Sequence, residues 1–205
     1  MHKLLLATTN KAKQEEITFG LRPLVTKGIQ IVSLRDFPNI EEPEEIGTTF
    51  EENAKLKAKY YAEKTGLPAL ADDGGLMIAA LGGEPGVKSR RWPGYAATDL
   101  ELIQYALDKM RHIPEDKRTA QLATCLAFYN PVSKQFSCEQ ESIDGFITMK
   151  PLTMETHGYP YRALFKVAKY NKFYDELTHE EHDAINHRLL AIKRLLHHIE
   201  KYLLQ

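Results

Sequence analysis

Two cysteines, Cys125 and Cys138, are all that 205 residues contain. Neither lies in a CxxC pair or beside a histidine-rich partner, which argues against a disulfide scaffold and a zinc module and points to a reducing cytoplasm. An excess of charge is missing as well. With 27 Lys and Arg against 28 Asp and Glu, the net charge of -1 supplies no field to draw in a nucleic acid backbone. There is also no basic stripe interleaved with aromatics, so nucleic acid is not an expected partner and any polyanion must be met by a few local groups. Long apolar runs are lacking too. The run after Met1-His2-Lys3 ends at Ala7, too short for the apolar part of a signal peptide or for a membrane span, so neither export nor membrane insertion is expected. No low-complexity tract, like-charge block, internal repeat or long linker interrupts the chain, and 43% hydrophobic and 27% charged residues are ordinary for a folded protein. One domain over residues 1–205 with a sizeable core is the expectation.

What is present alternates between strand-like and helix-like segments. Residues 3–7 form a short apolar run that breaks at Thr8-Thr9-Asn10 and passes into the helix formers of residues 11–21. Residues 29–34 read as a second strand, and the proline- and acid-rich residues 37–45 as a loop. Thr49 with Glu52 makes a capping box ahead of a helix of about four turns, which Gly66 and Pro68 stop. Ala69-Leu70-Ala71 is a short strand expected to end in Asp72-Asp73-Gly74-Gly75, where glycines let a ligand approach the backbone closely. Gly82-Gly83-Glu84-Pro85-Gly86 is irregular, and Thr98 with Glu101 caps a helix to about Met110. Residues 120–129 and 135–148 have the composition of a hairpin turning at Asn130-Pro131. Thr178 with Glu181 caps one last helix, along which Ile185, Leu189, Ile192, Leu195, Leu196 and Ile199 recur at helical spacing. Together these predict an α/β fold: an elongated mixed sheet flanked by helices, in two lobes around a central cleft.

Three groups of residues stand out chemically. At Thr8-Thr9-Asn10-Lys11-Ala12-Lys13 a strand turns into a helix, so backbone N–H groups and the positive helix end can meet an anion, with Lys13 one turn along. A helix that opens on Thr or Asn is most often simply well capped. Glu44-Glu45 and Asp72-Asp73 offer hard oxygen ligands from two chain segments, which is what magnesium uses when it also bridges substrate phosphates. Acidic loops are ordinarily just solvated, but Asp72-Asp73 follows an apolar strand. Lys55, Lys57 and Lys59 share one helix and at about 100° per residue cannot all face one way. Arg91 is a loop arginine that suits either a phosphate or the solvent.

In combination these segments resemble the inosine triphosphate pyrophosphatases, a family that removes nonstandard purine nucleotides. The resemblance spans nearly the whole chain: Ala7-Thr8-Thr9-Asn10 with Lys13 and Glu16; Gly47 to Ala54 with Lys57-Ala58; Ala71-Asp72-Asp73 with Gly75-Leu76; Gly82 to Val87 with Ser89 and Arg91; and His187-Arg188. It implies a homodimeric enzyme that hydrolyses a purine (deoxy)nucleoside triphosphate of the ITP, dITP or XTP type to the monophosphate and pyrophosphate. It implies that Thr8, Thr9, Asn10, Lys13 and Lys57 hold the triphosphate and that Glu45 and Asp73 hold Mg2+. Asp73 would also orient or deprotonate the attacking water, with Asp72 assisting. Gly74, Arg91, Tyr159, Tyr161, Arg162, His182, His187 and Arg188 fall at the remaining substrate-binding positions.

The base-reading segment departs from the family. Where its members have Phe-Gly-Tyr/Trp-Asp-Pro before a final Phe, this chain has Tyr159-Pro160-Tyr161-Arg162-Ala163-Leu164-Phe165, so Arg162 replaces an aspartate. His182-Asp183 replaces Lys-Asn, Asn186-His187-Arg188 replaces Ser-His-Arg, and Gly74 stands where a serine follows the aspartate pair. Tyr159 can still stack on a base and His187 and Arg188 can still donate to ring acceptors. A guanidinium only donates, so Asp-to-Arg reverses the hydrogen-bond demand and favours a base that presents acceptors, such as guanine O6 and N7. The alternative is that Arg162 swings out and the ITP or XTP preference persists. Two other readings are a nucleotide sensor of the same fold without turnover, disfavoured by intact Lys13, Lys57, Glu45 and Asp73, and a Maf-like pyrimidine nucleotide pyrophosphatase, disfavoured by the His187-Arg188 pair.

Overall fold

The computed structural model of the protein describes residues 2–156 and 158–204. Among the described residues, thirteen strands and α-helices follow one another: β1 (Lys3–Ala7), α1 (Lys11–Gly20), α2 (Arg22–Val25), β2 (Gln30–Ser33), α3 (Phe50–Thr65), β3 (Ala69–Ile78), α4 (Asp99–Met110), β4 (Thr119–Asn130), β5 (Gln135–Ile147), β6 (Phe165–Val167), β7 (Lys172–Phe173), α5 (His179–Ile185) and α6 (His187–Leu204). The strands hydrogen-bond in the order β2-β1-β3-β4-β5-β6-β7. β1 runs parallel to β2 and β3, while β6 runs antiparallel to β5 and β7, so the sheet is mixed. Two compact units emerge: Met1–Asp73, Thr124–Glu141 and His187–Gln205 in the first, Gly74–Ala123 and Ser142–Asn186 in the second.

In the first unit, strand alternation gives two cores. Leu4, Leu6, Leu70, Leu126 and Phe128 turn to one face and are covered by Ile17 and Leu21 around α1 and by Ile192, Leu195 and Ile199 of α6. Leu5, Ala7, Ala69, Ala71, Cys125 and Ala127 turn to the other, where small residues let Ala54, Ala58, Tyr61 and Ala62 of α3 come close. The helix caps follow the expected chemistry. Thr49 accepts the Glu52 N–H and Glu52 returns to the Thr49 N–H, and α3 ends at Gly66 with φ 70°, where a side chain would be strained.

The second unit has one core, in which Trp92, Ile103, Ala106 and Met110 pack with Ile147, Leu164, Phe165 and Tyr174. Arg118 is buried there at 1% exposure, and its guanidinium donates to Met110 O at 2.7 Å and Ile113 O at 2.9 Å. Met110 closes α4 and Ile113 lies three residues beyond it; at such a helix end carbonyls lack helical partners and the dipole favours a cation.

Three expectations require correction. β3 does not stop at the aspartates but continues to Ile78; only Ala69–Ala71 lie against β1, and the strand goes on beside β4. Nor is the glycine at 75 a gap for a ligand. A side chain there would collide with Ser89 Oγ, so the short 3-10 turn Gly86–Arg91 fills the space. Finally, the last helix is two helices. Asn186 breaks it with ψ 101°, well outside the helical range, although the apolar spacing runs through uninterrupted. The short strands β6 and β7 add to what the sequence suggested.

Candidate active site

β3 places Asp72 and Asp73 side by side in a strand, so their carboxylates leave opposite faces. Asp72 continues the Leu70 face, toward α1 and α6; Asp73 continues the Ala69 and Ala71 face, toward α3.

On the first face, Asn10 caps α1: its Oδ1 accepts the Lys13 N–H at 3.1 Å, and Thr8 Oγ1 accepts the Asn10 N–H at 3.3 Å. Thr8 O accepts from Gln14 Nε2 at 2.6 Å, which ties the turn to the helix, and Thr9 is exposed. The first turn of α1 carries no acidic residue, so its positive end is not neutralised from within. Lys13 folds back to Asp72, Nζ to Oδ2 at 2.6 Å. Arg188 Nε donates to Asp72 Oδ1 at 3.0 Å and its Nη1 pairs with Glu16, while the Thr124 hydroxyl donates to Asp72 Oδ1 as well. The Asp72 side chain has no exposure. Burial pushes this carboxyl up, but Arg188 and Lys13, with the Lys13 and Thr124 bonds, outweigh it and hold Asp72 far below the usual carboxylate range. His187 is buried beside Arg188 in the chain, at 4% exposure.

On the second face, the Lys57 ammonium sits between two carboxylates, 2.8 Å from Glu45 Oε1 and 3.0 Å from Asp73 Oδ1. Asn53, one helical turn before Lys57, donates from Nδ2 to Asp73 Oδ2 at 3.4 Å. Burial, then the neighbouring Glu45 charge, raise the Asp73 carboxyl above its ordinary value despite Lys57 and Lys13. Burial would lower Lys57, but the charges of Asp73 and Glu45 prevail and raise it. Burial and neighbouring charge thus drive the two adjacent carboxyls in opposite directions, Asp72 down and Asp73 up.

Among the described residues no three His, Cys, Asp or Glu gather as a ready metal cluster. Two hard carboxylates converging on one cation position nevertheless fit magnesium, which takes one or two protein carboxylates and completes its shell with water and phosphate oxygens. Glu45 is exposed, so that shell can be reached from solvent.

The other expected residues belong to the second unit, apart from His187 and Arg188. Arg162 lies with its guanidinium carbon 3.6 Å from the Tyr159 ring centre and 4.3 Å from that of Tyr174. It is held by two rings and does not swing out to solvent. Tyr174 O–H lies 3.0 Å from His182 Nε2, and Asn186 Nδ2 lies 3.5 Å from the same nitrogen. Tyr161 is packed beside Trp92, and its hydroxyl donates to Ser89 O at 2.7 Å. Gly74 lies within β3, and Arg91 is exposed at the end of the 3-10 turn.

Sequence reasoning did not assign roles to Asn53 and Thr124. Asn53 was within reach: it precedes Lys57 by four residues and so shares its helix face. Thr124 was not, because only the pairing of β3 beside β4 brings it to Asp72.

The fold and these contacts define an α/β protein with a capped helix start on one face of a strand and a carboxylate-lysine-carboxylate cluster on the other. The Ham1 family profile matches residues 4–198, and the chain belongs to that family. A protein of Thermus thermophilus named dITP/XTP pyrophosphatase is 42% identical over 95% of this chain and 90% of its own length. One of the same name from Escherichia coli is 39% identical over 96% of this chain and 97% of its own. Among solved structures, a HAM1 protein from Coxiella burnetii superposes with a TM-score of 0.84 at 34% identity, covering 98% of this chain and 100% of that one.

Proposed function

We infer that this chain is a nucleoside triphosphate pyrophosphatase that cuts a purine nucleotide between its α and β phosphates. The observation that carries the reading is the convergence of Glu45, Asp73 and Lys57 at one point, in a chain whose relatives are named for dITP and XTP.

In this reading, the turn of Thr8, Thr9 and Asn10 receives phosphate oxygens at the start of α1, with Lys13 and Lys57 as the nearby cations. Lys57 keeps its proton through neutral pH because two carboxylates flank it. Glu45 and Asp73 would hold a magnesium ion, which when bound would supply neutralisation of the phosphate charge. Asp73, with its carboxyl raised, takes the proton from a water whose oxygen forms the new bond to the α phosphorus. The α–β anhydride bond breaks, its electron pair leaves on pyrophosphate, and the proton rests on Asp73. Asp72 takes no proton in this scheme; it keeps Lys13 and Arg188 in place.

In the second unit, Arg162 and His182 stand at positions that the family fills with other residues. A guanidinium fixed on Tyr159 suits ring acceptors such as O6 and N7. A homodimer is part of the same proposal, and light scattering on the purified protein reads it directly.

The test is a panel of dITP, XTP, ITP, dGTP and pyrimidine triphosphates, assayed with Mg2+ and with chelator for pyrophosphate and orthophosphate separately. Pyrophosphate from the purine members, lost on chelation, is expected. Orthophosphate alone, or binding with no product from any member, overturns the assignment.

A further inference from the structure

Asn53 has no part in the chemistry above, yet it is 1% exposed in the first turn of α3 and its amide meets two groups at once. Its Oδ1 accepts the Gly47 N–H at 2.8 Å, and its Nδ2 faces Asp73 Oδ2 at 3.4 Å. The partners fix which way the amide points, since an N–H needs an acceptor and a carboxylate oxygen needs a donor. Gly47 lies two residues beyond Glu45. A Cβ on Gly47 would stand 2.5 Å from Asn53 Oδ1 and 2.8 Å from Glu52 Cβ, so the acidic loop passes against α3 with no room for a side chain. The neighbouring Thr48 N–H is taken by Glu52 Oε2 at 2.6 Å, which pins the same stretch from the other side.

These contacts link three segments: the loop that carries Glu45, the helix that carries Lys57 and the strand that carries Asp73. We propose that Asn53 is a positioning residue for the cation site, its single amide holding Glu45 and Asp73 at the separation at which both reach one ion. The proposal rests on the reading of those two carboxylates as metal ligands. Asn53 contacts neither ion nor nucleotide; it acts by ordering a loop that has no regular structure of its own, so that less conformational freedom is lost when the ion binds.

Three variants test this: Asn53→Ala, Gly47→Ala and the double variant. Mn2+ binding to the nucleotide-free protein is followed by electron paramagnetic resonance, and the Mg2+ concentration for half-maximal pyrophosphate release is measured at saturating nucleotide. Each single substitution is expected to weaken both by about tenfold, with thermal unfolding confirming a folded protein. The double variant should lose clearly less than the product of the two, because the added methyl then has no amide to displace and meets only Glu52 Cβ. Wild-type Mn2+ binding in both single variants, or a double variant weakened by the product of the two, overturns the proposal. If Asn53→Ala does not fold, Gly47→Ala decides alone by the Mn2+ readout. A wild-type protein that binds no Mn2+ sinks the ligand reading itself, whereas variants that bind as wild type does sink the positioning role alone.

Discussion

Asp72 and Asp73 share a strand, a residue type and a place in the chain, and they live in opposite environments. The Asp72 face gives its carboxylate Lys13, Arg188 and a hydroxyl, and burial there is overcome by charge. The Asp73 face offers one ammonium shared with a second carboxylate and an amide at 3.4 Å, and there burial prevails. A carboxylate with an excess of cations is a structural anchor. One short of them is poised to accept a proton or a metal ion. On the proposed reading, one step along a strand separates an anchor from a group that does chemistry.

The sharpest way to break this comparison is Asp73→Asn. It should lower pyrophosphate release by about 10³-fold or more, since it removes a metal ligand and a proton acceptor together, while the far-ultraviolet circular dichroism stays that of the wild type. Near-normal turnover would remove Asp73 from its role and with it the contrast between the two faces.

Asp72→Asn should fail differently. It leaves Lys13 and Arg188 beside a neutral amide in a site with no side-chain exposure, which is expected to cost about 3–5 kcal/mol of stability. Urea unfolding at neutral pH reads this directly. A loss below about 1 kcal/mol, the range of a surface pair, would mean that Asp72 is not the anchor described.

How much of this was legible follows from the range of the forces involved. α3 and α4 could be read to within a residue because Thr49 with Glu52 and Thr98 with Glu101 are local signals. The length of β3 could not, because two glycines read as a break while β4 sustains the strand. The halt at Asn186 was hidden by an apolar spacing that continues through it. At the site, residue types pointed to Glu44-Glu45 with Asp72-Asp73 and left Lys55, Lys57 and Lys59 open; the family resemblance singled out Glu45, Asp73 and Lys57, which the structure brings together. What separates Asp72 from Asp73 was invisible, since it depends on Thr124 and on Arg188, 116 residues away in sequence.

A change in the second unit sharpens the comparison by leaving both aspartates alone. Arg162→Asp removes the guanidinium stacked on Tyr159 and Tyr174 and substitutes an acceptor. The ratio of kcat/KM for dITP to that for dATP is expected to fall by about tenfold, the order of one hydrogen-bonded base contact, because a guanidinium donates to O6 whereas a carboxylate accepts from adenine's amino group, with the Mg2+ requirement unchanged. An altered Mg2+ requirement would show that base reading and the carboxylate cluster are not separable.

The smallest effect is the dependence of stability on pH in metal-free buffer, and here the two aspartates should differ in sign. The folded-state value of Asp72 is depressed, so its contribution is present above the unfolded carboxylate value of about 3.9 and fades only as pH falls through the much lower folded value. The folded-state value of Asp73 is raised, so the folded protein holds that proton more tightly than the unfolded chain does. Its ionisation therefore removes stability as pH climbs from the unfolded value to the folded one. Asp73→Asn should then melt at or slightly above the wild-type temperature at pH 7 in the presence of chelator, an advantage that shrinks as pH falls through that window, whereas Asp72→Asn should melt lower throughout it. If Asp73→Asn instead melts well below the wild type at neutral pH, Lys57 outweighs burial at Asp73, and the second face is an anchor like the first.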